Sequence, residues 1–243
     1  MGDFSQRIES QWKESLRDLL AKATALGPKA VWVFDLDSTV FDNRPRQARI
    51  VREFGKAQGA PKLLACESKH FTSGWDLRGA VTSLGHSSAE ADAMYPSLKA
   101  FWQERFFTSA YCVDDIEVPG AARFLKDCVA TGAQVVYCTG RHEAMRAGTV
   151  QCLTQCAMPL PDGKAVRLVM KPTLESSDDA FKRDAHRELE GLGQVFAAFD
   201  NEPTHANDYA LRFPSATVVH LDTDHSGRPV ALDKRIITIP RFP

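Results

Sequence analysis

The chain has 243 residues, 44% of them hydrophobic and 25% charged, and its 30 basic and 31 acidic side chains leave a net charge of −1. That length suits one large domain or a core carrying a smaller insert, and that composition excludes global disorder. A near-neutral chain lacks the field that recruits nucleic acid or an acidic membrane surface, so neither is expected as a partner.

The first residues show no basic stretch followed by a continuous apolar run, and no apolar run approaches about 20 residues. The expectation is a chain with no signal peptide and no membrane span, working in the cytoplasm. The cysteines (Cys66, Cys112, Cys128, Cys138, Cys152 and Cys156) form no CxxC pair, and several lie in apolar stretches. Reduced thiols fit that compartment.

Residues 5–26 read as an amphipathic helix, with Ile8, Trp12, Leu16, Leu19, Leu20, Ala23 and Leu26 at helical spacing and Gly27-Pro28 as the stop. Residues 30–34 form a short continuous apolar run, as a strand buried on both faces does. It ends in Asp35-Leu36-Asp37-Ser38-Thr39. The rhythm then changes. Roughly 70 residues, 43–115, carry helical patterns at 45–56 and 87–107 and little strand signal, too long for a bare loop. They read as a helical insertion, a cap, in a core formed by 1–42 and 116–243.

Downstream, helices are expected over 121–131, 143–157 and 178–192, and strands over 134–138, 166–170, 194–199 and 217–221. This alternation implies βαβ units and an α/β fold with a parallel sheet flanked by helices. Ligands of such sheets sit outside the carboxyl ends of the strands, so the polar residues following each strand are the candidates.

Asp35 and Asp37 follow the first strand directly. Two carboxylates that close repel unless a cation or proton intervenes, and a hard divalent cation such as Mg²⁺ suits them. A capping Asp pair in a surface turn is the bland alternative. Thr139-Gly140-Arg141 follows the next strand; a hydroxyl and backbone N–H groups there can donate to phosphate, although an ordinary strand-to-helix turn looks the same. Arg141 could bind a substrate anion or make a structural salt bridge. Lys182 lies near a helix start, with Lys171 at a strand end as its competitor. Asp200 ends a further strand, where it could complete a metal site or cap a helix.

In this order, acid pair, Thr, Lys, acid, the chain resembles the phosphatase branch of the haloacid dehalogenase superfamily. Asp35-Leu36-Asp37-Ser38-Thr39 matches that family's first motif, DxDx(T/V), in full. Thr139 matches the second, Lys182 the third in preference to Lys171, and Asp200 the fourth. The resemblance covers roughly residues 30–41 and 118–221, and the insertion sits where relatives carry a C1-type cap. It implies a Rossmann-like core and Mg²⁺ held by Asp35, Asp37 through its backbone carbonyl, and Asp200. It implies Asp35 as nucleophile, Asp37 as acid and base, and Thr139 and Lys182 on the phosphoryl oxygens, with Gly140 and Arg141 beside them. One departure stands out: the fourth motif often continues with a second acid, but here Asn201 follows, leaving Glu202 and Asp208 as alternatives.

The expected activity is hydrolysis of a phosphate monoester on a small phosphorylated metabolite. A polynucleotide 3′-phosphatase, a phosphotransferase or mutase with the same core chemistry, and a non-catalytic binding protein are the alternatives. Weaker signals are a basic stretch (Arg44, Arg46, Arg49, Arg52, Lys56) that could meet a second anionic group or form a solvated helix face, and Phe71–Trp75, a candidate substrate-facing turn whose Trp75 could equally be core. The remaining histidines show no ligand spacing and read as structural or exposed.

Overall fold

The computed structural model describes residues 4–243. The chain divides into two compact units, one of residues up to Phe41 with Glu117–Glu143 and Leu153–Pro243, the other of Asp42–Ile116 with Ala144–Cys152. The second unit therefore takes in Ala144–Cys152 as well as the stretch read as an insertion.

In chain order the elements are α1 (Trp12–Leu26), β1 (Ala30–Phe34), β2 (Phe41–Asp42), α2 (Arg44–Gln58), α3 (Leu77–Ser83), α4 (Ser88–Phe106) and α5 (Ser109–Cys112). There follow β3 (Ile116–Glu117), α6 (Ala121–Ala130), β4 (Gln134–His142), α7 (Arg146–Gln155), β5 (Val166–Lys171), α8 (Asp178–Leu192), β6 (Gln194–Asp200), α9 (Pro203–Arg212), β7 (Thr217–Leu221) and β8 (Ile237–Ile239). No helix among the described residues is long and apolar enough to cross a membrane.

The first unit is built on a six-stranded sheet in the order β5-β4-β1-β6-β7-β8. Every pairing is parallel. Parallel sheets need helical crossovers and are covered on both faces, which is why Ala30–Phe34 is wholly buried and reads as one apolar run. Ring packing reinforces the centre: Phe34 stacks on Phe199 of the neighbouring strand at 4.5 Å, and Trp32 meets Phe196 and Phe124 edge-on. Below them Val31, Val33, Val136, Ala198, Leu189 and Tyr209 close one continuous cluster. From β1 the chain crosses to β4 and β5 on one side and returns through α8 to β6 on the other. The carboxyl ends of β4, β1 and β6 therefore flank a topological switch point, where an open α/β sheet leaves a crevice for ligands.

The first helix is shorter than its apolar spacing predicts. Ser5–Arg7 is a 3₁₀ turn, and Ile8 bridges to Thr238. Glu9 N–H donates to the Thr238 carbonyl at 3.2 Å, so the sheet edge captures this segment and overrides its helical periodicity. Likewise Glu143–Met145 is a 3₁₀ turn ahead of α7. The strand β8 has no counterpart in the sequence reading, because three residues are too few to show a period.

Buried histidine on β7 gives this unit an acid sensitivity. His220 is fully buried, its Nε2 pairs with the Asn201 carbonyl at 3.1 Å, and its Nδ1 has no hydrogen-bond partner among the described residues. Burial, outweighing the Asn201 contact, pushes its pKa down to about 4 from the ordinary 6.5. The unfolded chain therefore takes up a proton near pH 6.5 that the folded chain refuses until about pH 4. Stability is fully present above pH 6.5 and is lost as pH falls across that window, by about 3 kcal/mol for His220. His186, also held neutral by burial, adds to the slope. Urea unfolding at a series of pH values should show a shallower acid limb for His220→Gln than for wild type. Parallel limbs would mean that His220 does not carry the effect.

The second unit is helical. The capping box at the start of α4 is Ser87-x-x-Glu90, with Ser87 Oγ accepting from Glu90 N–H and the Glu90 carboxylate accepting from Ser87 N–H. Its core gathers Ile50, Val51, Phe54, Leu77, Leu98 and Trp102. The basic stretch on α2 is divided: Arg44 and Lys56 are exposed, while the three arginines between them engage acids and carbonyls of the same unit. Arg46 is buried, bound to Asp115 at 2.9 Å and the Phe106 carbonyl at 2.8 Å. Arg49 pairs with Asp114 and Glu53, and Arg52 donates to the Cys66 carbonyl. These cations hold helices together. Trp75 is 59% exposed, so it is not core.

Candidate active site at the carboxyl edge of the sheet

Beyond Phe34 the chain keeps one more tie to the sheet: Asp35 N–H donates to the Phe199 carbonyl at 2.9 Å. It then turns back sharply, with the Leu36 carbonyl accepting from Thr39, Val40 and Phe41. Ser38 takes a left-handed conformation (φ 59°) to make that turn, and its carbonyl accepts from Thr223 Oγ1. Thr39, fully buried, donates to Asn201 Oδ1 at 3.0 Å, and Asn201 Nδ2 donates to the Asp224 carbonyl. Three loops that follow three strands are thus stitched together, fixing where Asp35 and Asp37 stand.

The residues singled out in the sequence separate into those that meet and those that do not. Lys182, on the second turn of α8, is 1% exposed. Its ammonium donates to Asp35 Oδ1 at 2.7 Å, to the Cys138 carbonyl at 2.7 Å and to Asp200 Oδ2 at 3.1 Å. One cation therefore joins the ends of β1, β4 and β6. Lys171 lies elsewhere, donating to Asp178 and the Leu174 carbonyl. Thr139 is buried within β4, where pairing with β5 begins to shift register, and its Oγ1 accepts from Arg141 N–H. A Cβ on Gly140 would stand 3.1 Å from the Asp178 carboxylate, so the chain passes close to the start of α8 there. Arg141 grips Asp37 with both oxygens engaged, Nε to Oδ2 at 2.9 Å and Nη2 to Oδ1 at 2.7 Å.

Of the two candidate supporting acids, Asp208 faces Arg183 at 3.6 Å, and Glu202 accepts from Ser226 N–H and Oγ. Glu202 N–H donates to Asp200 Oδ1, so it is Glu202 that adjoins the cluster. One participant was missed. His205, expected to be structural or exposed, packs its Nδ1 3.7 Å from Asp200 Oδ1 while its Nε2 meets Asp179 at 3.0 Å. Asp179 and His205 occupy the first turns of the successive helices α8 and α9, which start at the same sheet edge. That shared position was the available signal.

Burial governs the electrostatics. It raises the Asp35 carboxyl above the ordinary carboxylate range despite Lys182, with Asp200 adding to the rise. Asp200 would be raised by its burial too, but Lys182 and His205 outweigh it and hold the group well down. Lys182 is held protonated, its two carboxylate neighbours overcoming the burial that opposes its charge. Two carboxylates against one ammonium leave the cluster one positive charge short of balance, which an additional hard cation would supply. Among the described residues no three His, Cys, Asp or Glu side chains gather as a ready-made metal cage. The donors on offer are the Asp35 and Asp200 carboxylates and backbone oxygen. That set suits Mg²⁺, which takes one or two carboxylates and keeps several waters.

No family model matches the chain, and no curated protein matches it. Solved structures do. A putative phosphatase from Clostridium difficile shares 9% identity over 83% of this chain and 88% of its own, with a TM-score of 0.50. Protein Tyrosine Kinase A of Mycobacterium tuberculosis shares 17% identity over 88% and 94%, with a TM-score of 0.51. The core is an α/β, Rossmann-like fold, a parallel six-stranded sheet flanked by helices. A haloacid dehalogenase-like hydrolase from Bacteroides fragilis also matches, at 11% identity over 86% of this chain and 96% of its own, with a TM-score of 0.45. Such identities speak to fold. Within that fold, the Asp35–Lys182–Asp200 cluster lies at the switch point of the sheet.

Proposed function

We propose that this chain is a Mg²⁺-dependent phosphohydrolase that forms a phospho-aspartate on Asp35, acting on a small phosphorylated metabolite. The observation that carries the reading is the buried ammonium of Lys182 shared between Asp35 and Asp200, beside an acid, Asp37, and a hydroxyl, Thr139. A cation fixed among carboxylates at a strand edge is what an incoming phosphoryl group needs, since its transition-state charge lies on the equatorial oxygens.

In this reading Asp35 attacks phosphorus through a carboxylate oxygen. Asp37 gives a proton to the departing oxygen, then takes one from the water that cleaves the phospho-aspartate. Thr139 and Lys182 hold the equatorial oxygens, with the backbone around Gly140 alongside. The Asp35 carboxylate, the Asp37 backbone carbonyl and Asp200 would hold Mg²⁺, which when bound would offset the repulsion between an anionic nucleophile and an anionic phosphate. Residues 43–115 act as a cap that selects the substrate. The six cysteines, none of them in a disulfide among the described residues, suit a reducing compartment such as the cytoplasm.

Metal removal is the direct test. Purified protein with p-nitrophenyl phosphate and excess Mg²⁺ should turn over, and chelation should reduce the rate to background, with recovery when Mg²⁺ is returned. Turnover undiminished in chelator would refute the metal dependence. Absence of both turnover and Mg²⁺ binding, followed by calorimetry, would refute the enzyme.

A further inference from the structure

The Arg141–Asp37 pair is unlike the chain's surface ion pairs. The guanidinium side chain is 1% exposed while the carboxylate it holds is 32% exposed. Nε and Nη2 meet the two carboxylate oxygens in a planar fork, at 2.9 and 2.7 Å. A fork of that kind sets the plane and the direction of a carboxylate as well as its charge. A fork reaching out from so buried a side chain holds Asp37 in one place. The backbone is organised toward the same end: Arg141 N–H donates to Thr139 Oγ1, and the guanidinium lies 5.2 Å from the Phe41 ring, at the close of the turn that carries Asp37.

We propose that Arg141 is the positioning residue for Asp37, acting on the leaving group through that carboxyl group and not by binding phosphate. The inference rests on the phosphatase reading above. In the first half-reaction the Asp37 O–H proton passes to the bridging ester oxygen. The P–O bond breaks with its electron pair going to that oxygen, and Asp37 is left as carboxylate. The proton leaves from one Asp37 oxygen while the Arg141 fork keeps the carboxyl group in its plane and direction. The consequence is selective. An aryl phosphate expels a stable phenolate and needs little protonation, whereas an alkyl phosphate expels an alkoxide and needs it fully. Loss of Arg141 should therefore damage alkyl ester hydrolysis far more than aryl ester hydrolysis.

The experiment compares p-nitrophenyl phosphate with glycerol phosphate, with Mg²⁺, for wild type, Arg141→Gln, Arg141→Lys, Asp37→Asn and the double variant Asp37→Asn/Arg141→Gln. For Arg141→Gln, kcat on glycerol phosphate is expected to fall on the order of 10²-fold with KM little changed, and on the aryl ester by less than about 10-fold. Arg141→Lys, which keeps the charge but loses the fork, should lie between. Once Asp37 is Asn, adding Arg141→Gln should change the alkyl rate no further, because the two act as one unit. If Arg141→Gln does not fold, Arg141→Lys and the double variant, which leaves no carboxylate bare, carry the comparison. Equal losses on both esters, a rise in KM at constant kcat, or additive effects in the cycle would overturn the proposal. Wild type that hydrolyses neither ester and binds no Mg²⁺ overturns the phosphatase reading itself.

Discussion

Asp35→Asn is expected to abolish turnover while leaving the fold intact or more stable. The amide keeps the shape of the carboxylate but cannot attack phosphorus, and loss of an essential nucleophile costs on the order of 10⁴-fold or more. The stability expectation comes from the site. Burial raises the Asp35 carboxyl above its ordinary range, with Asp200 and Asp37 adding to the rise and Lys182 opposing it. A carboxyl that is harder to ionise folded than unfolded loses stability as pH rises from its unfolded pKa through its folded one. Above that window the ionised group destabilises the metal-free fold. A neutral amide escapes this, and Lys182 retains Asp200 as its counter-charge. Thermal unfolding in chelator at pH 8 should give Asp35→Asn a Tm at or above that of wild type, beside a null rate. A variant with a lower Tm would show that Asp35 is there to support the structure, and a variant with residual turnover would remove it as nucleophile.

The sequence shows the parts of this site that local rules govern and hides those that depend on the return of the chain. Ala30–Phe34 declares itself because a strand covered on both faces must be apolar throughout, and the acids after it mark the strand's carboxyl end. The parallel sheet follows from the alternation of strands and helices. The choice between Lys171 and Lys182 does not, since each lies near the end of an element in the same crossover. Only the path of α8 back over the sheet puts Lys182 against β1, β4 and β6 and leaves Lys171 on Asp178. His205 was hidden for the same reason, its partner Asp179 being distant in sequence. Asn201 looks in sequence like a missing acid, yet it joins Thr39 to the loop after β7, a task that needs both a donor and an acceptor and that an aspartate could not do alike. Arg141 likewise offered two readings of equal merit until the distance to Asp37 was known. On α2 the row of arginines has the look of a solvated face, but long side chains can cross to acids and carbonyls of other segments, and Arg46, Arg49 and Arg52 do so.

Lys182→Met should cost both stability and rate, which separates it from Asp35→Asn. Methionine fills a similar volume in the buried channel but supplies no charge and no donor. Asp35 and Asp200 would then face each other in a site where Lys182 is the cation in hydrogen-bond contact with both, and the Cys138 carbonyl would lose a partner. Removing one member of a buried charged set typically costs about 3–5 kcal/mol, because what remains is uncompensated rather than because the pair was worth that much. The loss should appear as a lower urea midpoint in chelator at neutral pH. It should shrink as pH falls and Asp35, the more readily protonated of the two acids, becomes neutral. Turnover should fall on the order of 10²–10³-fold, the scale for removing one preorganised donor to transition-state charge. Lys182→Met/Asp200→Asn, with one carboxylate removed along with the cation, should recover much of the stability and none of the activity. Wild-type stability for Lys182→Met would mean that solvent or another cation already compensates these acids, and a double variant less stable than the single would mean that Asp200 holds the fold through contacts other than Lys182.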